Sequence, residues 1–276
     1  MTDRYAVIGH PIAHSRSPAI HAQFARQTGE DIHYDRLLAP LDGFEATVRE
    51  FFRSGGRGLN VTLPFKEQAC ALAERRSSRV QLAGAANTLS VEDGVVAADN
   101  TDGIGLVRDL TGRHRLVLTG APVVILGAGG AASGVVLPLL EAGASRVLIV
   151  NRTAARALAL AARFADPRVR GGGFEALDAD SAAGAVLVNA TSAGLSDQGL
   201  PIPDSVYPAA RFAYDMVYAA APTAFLRQAA AAGCAGVADG LGMLVEQAAE
   251  SFRIWRGVLP ETEPVYRQLR DALGSA

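Results

Sequence analysis

Apolar positions along this chain fall in short runs separated by stretches of helical period. The runs at 5–9, 33–38 and 58–62 read as strands, and the stretches 17–27 and 43–54 between them as helices. Residues 72–83 are polar and read as helical or irregular. Two brief runs, 86–90 and 95–98, flank Glu92, Asp93 and Gly94 and predict a hairpin. A helix follows over 102–110, and 112–120 reads as a link. From 123 the alternation returns, with strands at 123–126, 146–150, 185–189, 212–215 and 236–238 and helices at 131–142, 154–164 and 223–232. A long amphipathic helix over 240–257 and a second over 264–273 close the chain.

Strands and helices in alternation call for parallel pairing with right-handed crossovers, so the fold class is α/β. The break near 112–120 divides the chain. The pattern predicts an N-terminal α/β domain over 1–102, a doubly wound Rossmann domain over 103–238 and helices over 239–276 that pack back on the first region. A hydrophobic content of 49% is ample for a core, and a net charge of −2 gives no basic patch for nucleic acid and no basic tail for membrane. The N-terminus has no signal-peptide pattern, and the apolar region 121–144 is broken by Pro122, Pro138, Glu141 and glycines, so it is not a membrane span. Cys70 and Cys234 lack metal-ligand spacing; two cysteines fit a reduced cytoplasm.

The strand at 123–126 breaks at Gly127, Gly129 and Gly130 and passes into a helix, with Gly127, Gly129 and Ala132 at dinucleotide-fingerprint spacing. Such a turn lets backbone N–H groups, including those of Ala128 and Ala131, approach a pyrophosphate at a helix N-terminus. After the next strand, where a carboxylate would hold a ribose 2′-hydroxyl, stand Asn151, Arg152 and Thr153, with Arg156 one turn on. A guanidinium there pairs with a 2′-phosphate, which points to NADP(H) over NAD. Hydride transfer to a ketone needs a proton donor, and Lys66 with Asp102 as orienting carboxylate are the best candidates. Taken singly, each also reads as a surface charge, and Asp102 as an ordinary helix cap. Ser17 before Pro18 reads as a hydroxyl N-cap. Capping does not explain Ser15. Asn60, Thr62 and Asn87 complete a set of neutral hydrogen-bonders suited to a polyhydroxylated ligand.

The chain resembles the shikimate dehydrogenase family. The resemblance is carried by GHPIAHSRSP at 9–18, NVTLPFK at 60–66, GAANT at 84–88, NTD at 100–102 and GAGGAA at 127–132. It continues through NRT at 151–153, NATSAG at 189–194, YDMVY at 214–218 and GLGMLVEQ at 240–247, in family order over nearly the whole chain. It implies NADPH-dependent reduction of 3-dehydroshikimate to shikimate, a step of aromatic amino-acid biosynthesis, in a cytoplasmic monomer or homodimer, with 1–102 as the substrate-binding and catalytic domain. It implies Ser15, Ser17 and Tyr218 at the substrate carboxylate, with Asn60, Thr62, Asn87 and Gln247 on the ring hydroxyls or carboxylate. Lys66 and Asp102 become the catalytic pair. Thr191 and Ala193 line the cofactor path, and Met216, Gly240 and Met243 lie near the nicotinamide. Without the family, Gln247 and Met243 read as two faces of a helix and Tyr218 as a half-buried aromatic. Ala22, Ala98 and Ala220 depart from the family pattern and bear on loop shape. A quinate or aminoshikimate dehydrogenase, or a non-catalytic ligand sensor, are the alternatives.

Overall fold

The computed structural model describes residues 2–191 and 199–274. The chain opens with β1 (Asp3–Gly9), α1 (Ser17–Thr28), β2 (Ile32–Leu38), α2 (Phe44–Arg53) and β3 (Gly56–Val61). It continues with α3 (Lys66–Leu72), β4 (Arg75–Arg76), α4 (Ser78–Ala83), the pair β5 (Thr88–Glu92) and β6 (Val95–Asp99), and α5 (Asp102–Arg108). Tyr5 to Ile8 are buried throughout, the uninterrupted apolar run of a strand covered on both faces. Phe44, Val48 and Phe51, at helical spacing, turn one face of α2 onto that sheet.

The first sheet has the order β2-β1-β3-β5-β6-β4. Pairing is parallel between β1 and its neighbours but antiparallel from β3 to β5 and from β5 to β6, so the sheet is mixed. The hairpin is the cause. Asp93 and Gly94 both have positive φ, 53° and 80°, the backbone of a tight two-residue turn. The polar stretch over 72–83 resolves into the last residue of α3, edge strand β4 and α4.

Beyond α5 the backbone widens into a π turn at Asp109–Arg113 rather than continuing as α-helix. The buried Asp109 carboxylate accepts from the Tyr214 hydroxyl at 2.7 Å, and Arg113 pairs with it as well. Those partners draw Asp109 inward, and the ladder absorbs an extra residue there.

The second sheet comprises β7 (Pro122–Leu126), β8 (Arg146–Val150), β9 (Val169–Gly172), β10 (Val186–Asn189), β11 (Phe212–Asp215) and β12 (Val237–Asp239). Helices α6 (Gly130–Glu141), α7 (Ala154–Phe164), α8 (Ala179–Ala182), α9 (Val206–Ala209) and α10 (Ala224–Ala231) alternate with them. The order is β12-β11-β10-β7-β8-β9, parallel throughout, and it reverses between β7 and β10. This is the doubly wound Rossmann arrangement. The sequence pattern misses β9, α8 and α9: Gly171, Gly172 and Gly173 mask an edge strand, and each of the two helices is a single turn.

The chain closes with α11 (Leu241–Arg256) and α12 (Glu263–Gly274). Leu241, Val245, Ala248, Ala249 and Phe252 of α11 share a core with Ile20 and Phe24 of α1. The last helices thus return to the first sheet.

Candidate active site

The carboxyl ends of both sheets open onto one cavity of about 1300 Å³. On the first sheet, Asn60 lies one residue before the end of β3 and Thr62 follows that end. The chain then turns, with the Phe65 amide donating to the Thr62 carbonyl at 3.0 Å. Phe65 is fully buried on Phe44, ring centres 4.8 Å apart, and this anchor places Lys66 at the start of α3 with its side chain on the cavity.

Lys66 and Asp102, 36 positions apart in sequence, meet there. Lys66 Nζ donates to Asp102 Oδ2 at 2.5 Å, and Asn87 Nδ2 donates to Asp102 Oδ1 at 2.8 Å. Their side chains are 17% and 7% exposed, so water is largely excluded and the interaction acts in a low local dielectric. Asp102 is the first residue of α5, but the helix start has no side-chain cap. The carboxylate is engaged by Lys66 and Asn87 instead, which settles the capping alternative. Asn87 Nδ2 also reaches Thr101 Oγ1 at 2.9 Å and Gln247 Oε1 at 3.2 Å. One amide therefore ties three separate parts of the chain together.

At the other end of this pocket the Ser15 hydroxyl donates to the Ser17 hydroxyl at 3.2 Å, and the Ser17 amide donates to Ser15 Oγ. Ser17 is not the N-cap of α1: Arg16 holds that position without a side-chain cap, and Ser17 begins the helix itself. Its hydroxyl, held by Ser15, stays with the cavity. Tyr218 lines the same corner; burial pushes its phenol up and the nearby Arg16 charge opposes this, so the hydroxyl keeps its proton at neutral pH.

Sequence reasoning overlooks the residues behind these. The Tyr34 hydroxyl donates to Asn60 Oδ1 at 2.7 Å, and Asn60 Nδ2 donates to Ser251 Oγ at 2.9 Å. Ser251 also meets Thr88 Oγ1 at 2.8 Å and Thr101 Oγ1 at 3.2 Å. Ser251 follows Gln247 by one helical turn, and that spacing was the available signal. His21 is fully buried, stacked on Tyr34 at 4.1 Å. Burial lowers its imidazole to about 3, which the neighbouring Asn60 opposes only in part. Neither ring nitrogen closes a hydrogen bond of good geometry.

The second sheet contributes the facing wall. Gly127, Ala128, Gly129, Gly130 and Ala131 line the cavity at the point where strand order reverses. Gly127 has φ +112°, open to glycine at little cost, and nothing lies within 4 Å of where a Gly129 Cβ would point. A Cβ on Gly130 would stand 3.8 Å from Lys66 Cβ, so this turn directly faces the Lys66 side of the pocket. Asn151 and Arg152 line the far end, and Asn151 Nδ2 holds the Thr153 carbonyl at 3.0 Å. Thr153 and Arg156 stand outside the lining, on the exposed start of α7. Thr191, Met216, Gly240 and Met243 line the middle. Ala193 lies outside the described residues.

These residues fit a phosphorylated dinucleotide. The glycine turn leaves open space for a pyrophosphate, and neither Arg152 nor Arg156 is taken by a carboxylate among the described residues. Among the described residues no cluster has the makings of a metal site, and no helix is long and apolar enough to cross a membrane.

A doubly wound sheet with its glycine turn set against a buried lysine–carboxylate pair defines a dinucleotide-dependent oxidoreductase. Comparison with known proteins narrows the class. Residues 7–89 match the shikimate dehydrogenase substrate binding domain, 110–196 the shikimate / quinate 5-dehydrogenase family, and 240–270 the shikimate 5'-dehydrogenase C-terminal domain. The shikimate dehydrogenase (NADP(+)) of Janthinobacterium sp. (strain Marseille) is 55% identical over 273 residues, covering 99% of this chain and 98% of its own. That of Cupriavidus taiwanensis is 53% identical, covering 98% and 94%. The crystal structure of shikimate 5-dehydrogenase from Thermus thermophilus in complex with NADP(H) and shikimate superposes with a TM-score of 0.85 at 38% identity, covering 99% and 100%. The chain belongs to the shikimate dehydrogenase family.

Proposed function

We propose that this protein catalyses the reversible reduction of 3-dehydroshikimate to shikimate with NADPH, in the pathway to chorismate and the aromatic amino acids. The observation that carries the reading is the buried Lys66–Asp102 pair opposite the glycine turn. When bound, the nicotinamide supplies the hydride. Lys66 gives a proton to the ketone oxygen as negative charge develops on it. Asp102 orients the ammonium and balances its charge, and Asn87 holds Asp102 in place. In the reverse direction Lys66 takes the proton back from the hydroxyl.

Ser15, Ser17 and Tyr218 hold the substrate carboxylate in this reading, and Asn60, Thr62, Asn87 and Gln247 hold its hydroxyls. The backbone from Gly127 to Ala131 cradles pyrophosphate. Arg152, aided by Asn151, Thr153 and Arg156, receives the adenosine phosphate, while Thr191, Met216, Gly240 and Met243 flank the path to the nicotinamide. Residues 1–102 act as the substrate domain, 103–238 as the NADP domain, and 239–276 as the helices that complete the first. Two free cysteines suit work in the cytoplasm, as a monomer or homodimer.

The test is NADPH absorbance followed in the presence of 3-dehydroshikimate. The intact protein turns over. Lys66→Ala loses about 10²–10⁴-fold in kcat while still binding NADPH. Absence of turnover by the intact protein would sink the reading.

A further inference from the structure

Ser15 and Ser17 offer hydroxyls to the cavity, and hydroxyls alone leave a carboxylate's charge uncompensated. The N-terminus of α1 begins at Ser17 and supplies part of the complement through its dipole. Two guanidiniums flank the same corner. Arg36, on β2, forks onto the Ser15 carbonyl oxygen, Nε at 3.0 Å and Nη2 at 2.7 Å. Arg16 sits between the two serines, lines the cavity and acts on the Tyr218 hydroxyl. Arg49, Arg53, Arg57 and Arg79, on elements of the same region, are each paired with a carboxylate. Arg16 and Arg36 have no such partner among the described residues.

The Ser15 backbone is thus held at both ends. Its N–H donates to the Ile12 carbonyl at 3.1 Å, and its carbonyl is taken by Arg36. That fixes the Ser15 backbone, and its bonds with Ser17 turn Oγ toward the Ser17 hydroxyl. The guanidinium on that carbonyl keeps its charge, because a carbonyl is neutral.

We propose that Arg36 is a specificity-determining residue: held against the Ser15 carbonyl with its charge uncompensated, it makes this corner select an ionised carboxylate over a neutral group of the same shape. The proposal rests on the assignment of Ser15 and Ser17 to the substrate carboxylate. Arginine suits the role because its planar fork holds one oxygen through two donors; a lysine would keep the charge and lose the fork.

The test compares wild type, Arg36→Gln and Arg36→Lys with shikimate and NADP⁺, using shikimate methyl ester as a competitive inhibitor. Arg36→Gln raises the KM for shikimate about three- to tenfold, as befits an exposed charge acting at short range. Its kcat, its KM for NADP⁺ and its melting temperature stay near wild type, and the inhibition constant of the ester is unchanged. Arg36→Lys recovers part of the shikimate KM. Added salt weakens shikimate binding less steeply in Arg36→Gln than in wild type. Equal losses for acid and ester mean that Arg36 only braces the loop, and they overturn the proposal, as does an unchanged KM. Wild type inactive on shikimate refutes the activity itself, an outcome read before any variant is made.

Discussion

At the scale of single residues, the site depends on polar groups that are costly to leave unpaired. Tyr34 is the clearest. Its phenol is buried, which raises it well above its usual range, and it donates a hydrogen bond to Asn60 Oδ1. Tyr34→Phe leaves that oxygen without its donor and should cost about 1–3 kcal/mol in a urea titration, with a raised KM for shikimate. His21, stacked on the same ring, carries a pH signature. Its folded value of about 3 lies below the ordinary 6.5, so between those values the unfolded chain binds more protons than the folded one. Stability is therefore complete above 6.5 and falls as pH drops through the window, by at most about 1.4 kcal/mol per pH unit. Melting temperature against pH should show that acid slope in wild type and a shallower one in His21→Leu. Lys66 and Asp102 were legible as residue types with a task; their contact was not. It needs the turn at Phe65 and the amide of Asn87, and neither announces itself in the order of the chain.

At the scale of elements, α5 is set so close to its neighbours that side chains are excluded. A Cβ on Gly103 would lie 2.4 Å from Pro138 Cγ and 2.6 Å from the Gly134 carbonyl oxygen of α6. One on Gly105 would lie 2.7 Å from Gln247 Cβ and 2.8 Å from the Met243 carbonyl oxygen of α11. Gly105→Ala must push α11 away and carry Gln247 with it. The expected result is a loss of about 1–3 kcal/mol by thermal melting, with a KM for shikimate that rises more than kcat falls. The same helix shows where pattern reading stops. Its start at Asp102 was legible, whereas the π turn after Arg108 was not, because the Tyr214 hydroxyl that holds Asp109 comes from elsewhere in the fold. Amphipathic elements such as α7 and α11 fall almost where their hydrophobic period puts them. Edge strand β9, rich in glycine, carries no period to read.

At the scale of the molecule, two sheets present their carboxyl ends to a shared cavity, and each wall has a separate task. The cofactor wall can be altered without touching Lys66. Arg152→Asp replaces a guanidinium that has no carboxylate partner among the described residues with a like charge to the phosphate. It should weaken 2′,5′-ADP binding by at least about tenfold in calorimetry and shift the preference toward NAD, with the shikimate KM little changed. The alternation of strands and helices made the two-region plan legible, and the residues after β8 made the phosphate preference legible. The hairpin was legible too, and with it one antiparallel pair of the first sheet; missing from the sequence was the antiparallel pairing of β3 with β5, because a strand's apolar run does not say which neighbour it will join.

The hydrogen bond from Asn60 to Ser251 spans 191 positions. As the protein is made, the first sheet leaves the ribosome long before Ser251 does. Through most of synthesis, Asn60, Thr88 and Thr101 wait without the hydroxyl that joins them, and the apolar faces of α1 lack the helix that covers them. The network behind the reaction centre is thus closed only when α11 emerges, and translation must run almost to its end before the pocket has its full set of hydrogen bonds.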